Sequence, residues 1–192
     1  MAIFSLKPTC PYCKNQLEKV LKRKAKCPHC GQLIYVHKGE MLTEDNAQIL
    51  DLLVFLEKYD ITRQKFDQVR NKLSDRFKTK ASAHDTIWSI LNSLVATQPI
   101  EAYYDMARLV SQEGKDEQPY IEQALRTQLM SYKTRGIKTV RVVGYTEEPD
   151  YSTCPECVKL LHKKFPINEA LEKMPIPRNC TRGWCRCVYE PA

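Results

Sequence analysis

Residues 10–13 and 27–30 read Cys-Pro-Tyr-Cys and Cys-Pro-His-Cys, two Cys-x2-Cys turns separated by thirteen residues. Each turn aims two thiolates at one point and leaves backbone N–H groups free to donate to the sulfurs. Two such turns complete a tetrahedron, so the spacing predicts that Cys10, Cys13, Cys27 and Cys30 hold one zinc ion. Gly31 follows the second turn, where closure requires a positive φ that glycine adopts without strain. A shell of four thiolates leaves no vacant position for water, which makes such a site structural rather than catalytic. Residues 1–40 hold too few apolar side chains to bury a core unaided, so the metal is expected to be a folding requirement.

This is the pattern of a four-cysteine zinc ribbon. Cys-Pro-Tyr-Cys is also the redox motif of glutaredoxin-like proteins. That chemistry needs a strand before the motif and a long amphipathic helix after it, whereas here a second cysteine turn follows a lysine-rich span. The nine cysteines are odd in number and six of them lie in Cys-x2-Cys pairs. Metal ligation in a reducing compartment accounts for this better than a disulfide framework.

The charge is as uneven as the cysteines. The net charge is +7, of which +6 belongs to residues 1–40. Between the two turns, Lys19, Lys22, Arg23, Lys24 and Lys26 form a basic strip that can neutralise nucleic-acid phosphates. The competing reading is a solvated face that serves only solubility. No row of exposed aromatics accompanies the strip, so contact with DNA or RNA is expected to be weak and non-specific. No apolar run is long enough to span a bilayer and no apolar leader opens the chain. The expectation is a cytoplasmic protein, or one carried in a phage particle, with no membrane contact.

Residues 41–135 lack cysteine and read as helix. Thr43, followed by Glu44 and Asp45, caps a first helix whose apolar stripe is Ile49, Leu52, Leu53 and Leu56. Thr62 caps a second, with Phe66, Val69, Leu73 and Phe77 as apolar positions and Ile61 stapled to Phe66. Ser82 and Asp85 open a third, carrying Ile87, Trp88, Leu91, Leu94 and Val95. Pro99 opens a fourth that ends at Gly114, and Pro119 opens a fifth that runs to Gly136. The short polar link from Ser111 to Gln118 predicts that these last two form an antiparallel pair. Trp88, Tyr103 and Tyr132 lie at helical spacing and are read as core residues.

Residues 136–192 bring a second cysteine constellation. A strand is expected from Thr139 to Tyr145, then a turn through Pro149 and Asp150. A helix capped by Ser152 or Thr153 follows, bearing Cys154 and Cys157, with Cys180, Cys185 and Cys187 farther on. Five thiols and His162 compete for four positions. Cys154 and Cys157 make one half-site. Cys185 and Cys187, on one face of an extended segment, make the other; Cys180 with one of them is the alternative. Packing of small buried cysteines as hydrophobes is the competing account.

This tail resembles the C-terminal module of minor head proteins of tailed phages, the family typified by the phage Mu head-morphogenesis protein. Cys154, Cys157, Phe165, Ile167, Pro175, Pro177, Cys185, Arg186 and Cys187 occupy the places of its pattern. The family usually has His-Pro-Asn before Cys-Arg-Cys; this chain has Asn179-Cys180-Thr181-Arg182-Gly183-Trp184. The resemblance covers about forty residues and implies association with phage or mobile-element particles, with Cys154, Cys157, Cys185 and Cys187 holding a second zinc ion.

The expected fold is therefore α+β in three parts: a zinc ribbon at 1–40, a helical region at 41–135 with an antiparallel helix pair, and a zinc-stabilised αβ module at 136–192. The expected function is a non-enzymatic assembly or adaptor protein with phage structural proteins as partners and weak nucleic-acid contact. A nucleic-acid-binding regulator is the alternative and a metal-dependent nuclease a weaker third. The histidines are scattered, and no catalytic constellation or small-molecule substrate site can be read.

Overall fold

The computed structural model describes residues 8–144, 153–181 and 185–192. The chain forms two compact units, Met1–Ser89 and Ile90–Ala192.

The first unit opens with a small antiparallel sheet in the order β1-β2-β3, made of Ala25–Lys26, Leu33–His37 and Glu40–Leu42. The third strand carries the sheet two residues beyond residue 40. Its core is minimal: Cys10, Leu17, Cys27 and Ile34 are buried, with Tyr12, Cys13, Leu21 and Met41 packed around them. Two of the four buried residues are candidate metal ligands, so little apolar area remains to drive folding without an ion.

Helices α1 (Glu44–Leu56) and α2 (Arg63–Phe77) begin where their caps require. The Thr43 hydroxyl accepts from the Asn46 N–H and the Thr62 hydroxyl from the Lys65 N–H, each at 3.3 Å. Ile49, Leu56 and Phe66 are fully buried, but Phe77, expected on the apolar stripe, is 62% exposed. It is the last residue of α2, where the chain turns away through Lys78 in the left-handed region. The unexpected buried residue is Arg70. Its guanidinium donates to both carboxylate oxygens of Asp45, at 2.7 and 3.0 Å, and to the Ala81 carbonyl at 2.8 Å. This arginine joins α1, α2 and the segment before helix α3 (Ala83–Leu94), and it holds the Asp45 carboxyl below its ordinary pKa. Trp88 is half-buried, and its indole N–H donates to His84.

In the second unit, helices α4 (Pro99–Gln112) and α5 (Gln118–Thr134) pack along each other after the short link 113–117. Ala107, Ile121, Leu125 and Leu129 face a core shared with a sheet in the order β5-β4-β6. Strand β4 (Thr139–Val143) is central, paired antiparallel with β5 (Lys164–Pro166) and β6 (Val188–Pro191). Tyr145, Pro149, Asp150 and Ser152 lie outside the described residues.

Alternation along β4 turns Val140 and Val142 into the core beside Tyr189 of β6. The Tyr189 hydroxyl accepts from the Ile176 N–H and donates to the Ile176 carbonyl, both at 3.2 Å. It thereby ties β6 to the short helical turn α8 (Pro175–Arg178). Tyr132 on α5 donates to the Tyr189 carbonyl at 3.2 Å, and Tyr103 is half-buried. Short helices α6 (Pro155–Val158) and α7 (Ile167–Lys173) complete the unit. Among the described residues no helix is long and apolar enough to cross a membrane.

Candidate metal centres

The two N-terminal cysteine turns are near-copies of each other. In the first, Cys10 N–H donates to the Asn15 carbonyl and Lys14 N–H to the Cys10 carbonyl. In the second, Cys27 pairs with Gln32 and Gly31 with Cys27 in the same way. The Tyr12 N–H donates to Cys10 Sγ and the His29 N–H to Cys27 Sγ, each at 3.4 Å. These are the backbone donors that stabilise a thiolate. Each turn ends in a left-handed residue, Lys14 at φ 64° and Gly31 at φ 71°.

All four Sγ atoms lie within 4.8 Å of one another. Cys10 and Cys30 are 3.9 Å apart and Cys13 and Cys27 3.8 Å. The group can hold a metal ion. Burial opposes the Cys27 thiolate, but the N–H groups of Cys30 and His29 and the neighbouring thiols outweigh it, lowering its pKa to about 6. The Cys30 N–H, at the far end of the same turn, is thus already committed to Cys27. The thiol of Cys30 itself receives a lowering hydrogen bond from Gln32, overcome by burial and the three other sulfurs, and rises to about 12. Of this pair the Cys27 thiolate forms readily and the Cys30 thiol resists following it, a distribution that a bound cation relieves.

The positive φ of Gly31 gives a direct test. A Cβ there would meet nothing within 4 Å, so the penalty of a substitution is purely conformational. Gly31→Ala should destabilise the second turn by ~1 kcal/mol, which competition with a chelator would read as about fivefold weaker metal binding. Unchanged affinity would mean that this turn does not limit the site.

The first turn also builds the neighbouring helix. The Tyr12 hydroxyl donates to the Leu33 carbonyl at 3.1 Å and accepts from the Glu44 N–H, an orphan donor of the first turn of α1, at 2.8 Å. Tyr35 donates to the Glu44 carboxylate at 2.8 Å. His29 is exposed, and its Nε2 lies 3.0 Å from the Gln16 carbonyl. Lys19, Lys22, Arg23, Lys24 and Lys26 are all exposed, with the Lys24 ammonium 4.2 Å above the Tyr35 ring.

In the second unit the five C-terminal thiols form two overlapping groups. Cys154, Cys157 and Cys180 have mutually close sulfurs, as do Cys157, Cys185 and Cys187; within each group the atoms lie within 4.8 Å of one another. Cys157 belongs to both, and its Sγ is 3.9 Å from that of Cys185. Cys154, Cys157, Cys185 and Cys187 are each at most 3% exposed, while Cys180 is half-buried. His162, the non-thiol candidate, is exposed and belongs to no such group among the described residues.

Of the two expected caps of α6, Ser152 lies outside the described residues and Thr153 does not take the role. The cap is Cys154, whose sulfur accepts from the Cys157 N–H at 3.3 Å. A ligand can serve as helix cap because both roles ask the same thing of it, a negative acceptor facing orphan N–H groups. Hydrogen bonds from Cys157 and Cys185 lower the Cys187 thiol to about 4, and those from Cys157 and Cys187, with burial, push Cys185 upward. The chain therefore carries two cysteine clusters able to hold metal ions, one in each compact unit of an α+β fold. No protein-family model, curated protein or solved structure matched the chain.

Proposed function

We propose that this is a zinc-stabilised, non-enzymatic protein of phage or prophage assemblies. In this reading it joins phage structural proteins as an adaptor, with weak nucleic-acid contact through its basic ribbon. The observation that carries the zinc reading is the donor chemistry. Both clusters consist of thiolates alone, and soft sulfur donors select zinc among common divalent ions. A tetrahedron with Zn–S bonds of ~2.3 Å has edges of ~3.8 Å, which the N-terminal sulfur separations match. Iron–sulfide clusters interpose inorganic sulfur and spread their cysteines farther apart. Cys154, Cys157, Cys185 and Cys187 are the proposed C-terminal ligands. The phage association rests on the tail motif ending in Cys185-Arg186-Cys187.

The nucleic-acid contact is supported by the exposure of all five basic residues from Lys19 to Lys26 on a ribbon with most of the net charge. Affinity for a random duplex should be micromolar or weaker at physiological salt, falling by ~0.9 log units per phosphate contact for each log unit of salt. Fluorescence anisotropy across a salt titration measures that slope. Replacing Lys22, Arg23 and Lys24 with alanine should flatten it by about three contacts' worth. An unchanged slope, or no binding at low salt, leaves protein–protein assembly as the role of this molecule.

A further inference from the structure

The C-terminal cluster has one thiol more than a tetrahedral ion takes. Resting on the zinc reading above, we propose that Cys180 is the modification site of this centre: it reduces a peroxide, then captures Cys154 or Cys157 in a disulfide and opens the metal shell.

Three observations converge on Cys180. Its sulfur lies within 4.8 Å of those of both Cys154 and Cys157, so the first thiolates an oxidised Cys180 meets are proposed ligands. It is the most accessible of the five: half-buried, between exposed Asn179 and Thr181, while the other four are almost wholly enclosed. It also follows α8 directly, its N–H donating to the Pro177 carbonyl at 2.7 Å, so its backbone is anchored beside the cluster. The shared position of Cys157 makes the capture consequential. That residue groups with Cys180 on one side and with Cys185 and Cys187 on the other, so its loss dismantles the shell. At the N-terminal site, by contrast, four cysteines supply four ligands and no fifth thiol belongs to the group.

The chemistry balances with hydrogen peroxide as oxidant. The Cys180 sulfur attacks one peroxide oxygen; an S–O bond forms, the O–O bond breaks, and the departing oxygen leaves as water with the thiol proton. The Cys154 or Cys157 thiolate then attacks the sulfenic sulfur. An S–S bond forms, the S–O bond breaks, and a second water leaves with a proton from solvent. Two cysteine sulfurs give up two electrons in all, and one peroxide takes them. With one of the four thiolates tied up in the disulfide, the three remaining cysteines would hold a zinc ion too weakly to retain it.

The test uses the full chain, loaded with zinc and kept anaerobic. Hydrogen peroxide is added, release is followed with a chromogenic chelator, and disulfides are mapped by mass spectrometry without reduction. The wild type should start with two zinc ions, release one, and form a disulfide from Cys180 to Cys154 or Cys157. Cys180→Ala should also start with two ions and release the C-terminal one about tenfold more slowly. In the unoxidised wild type, brief alkylation with limiting iodoacetamide should mark Cys180 before the other four C-terminal cysteines. Equal release rates, disulfides that omit Cys180, or earlier labelling of Cys185 or Cys187 would overturn the proposal. One zinc in unoxidised Cys180→Ala, with two in the wild type, would place Cys180 in the shell and also overturn it, leaving the zinc reading intact. Fewer than two ions in the unoxidised wild type would defeat the zinc reading itself.

Discussion

Cys157→Ala should lower the zinc content of the purified chain from two ions to one and unfold the sheet end of the second unit. The expectation does not depend on which four thiols form the shell, because Cys157 belongs to both groups of close sulfurs. The side chain is 1% exposed and lies in the same core as Val140, Val142, Ile176 and Tyr189. A structural zinc site contributes ~10–16 kcal/mol of apparent binding free energy, most of which reappears as folding free energy. Losing even ~4 kcal/mol from a unit of this size lowers its melting temperature by roughly 20 °C. Elemental analysis and a thermal melt of the same sample read both effects. Companion variants then resolve the ligand set: Cys187→Ala should also leave one ion, and Cys180→Ala should leave two. Two ions retained in Cys157→Ala would remove the C-terminal centre from this account.

Cys27→Ser should unfold the ribbon, as should a strong chelator acting on the wild type. The small sheet is held by four buried residues of which Cys10 and Cys27 are two. The damage should extend to the first turn of α1. The Tyr12 hydroxyl that caps Glu44 N–H is positioned by the first cysteine turn and by β2. The body of α1, clamped to α2 by Arg70 and Asp45, should persist. Acid should reproduce the effect. Burial notwithstanding, the backbone donors place Cys27 in the folded chain at about 6, below the ordinary thiol value of 9.0. Stability from its thiolate is therefore complete above about 9 and is lost as pH falls through about 6. Amide exchange in residues 8–42, with and without chelator, measures the loss, and a ribbon that stays protected in chelator would refute the folding role of the metal.

Much of this molecule was legible in local sequence because its determinants are local. Thr43 and Thr62 cap α1 and α2 as their spacing demands, and Gly31 has the positive φ that closure of a cysteine turn requires. The Cys-x2-Cys spacing brings each N-terminal pair of sulfurs together through two short hydrogen-bonded turns, a geometry set within about six residues. The link between α4 and α5 is so short that the helices have little choice but to pack along each other.

What the tertiary structure alone decided depends on contacts between distant residues. Arg70 is a charged residue beside the apolar positions Phe66, Val69 and Leu73 of α2; only Asp45, twenty-five positions earlier, and the Ala81 carbonyl make its burial tolerable. Tyr12 looks like a knuckle filler until Leu33 and Glu44 supply its two hydrogen bonds. The grouping of the C-terminal thiols belongs to the same class. Cys180 stands twenty-three residues beyond Cys157, and nothing in that interval of sequence says which sulfurs will meet. Strand β4, pairing with β5 on one edge and β6 on the other, and Tyr189, binding the backbone of Ile176, close those loops. Spacing fixes a turn because few dihedrals are involved; a five-sulfur cluster is fixed only when the whole core around it is packed.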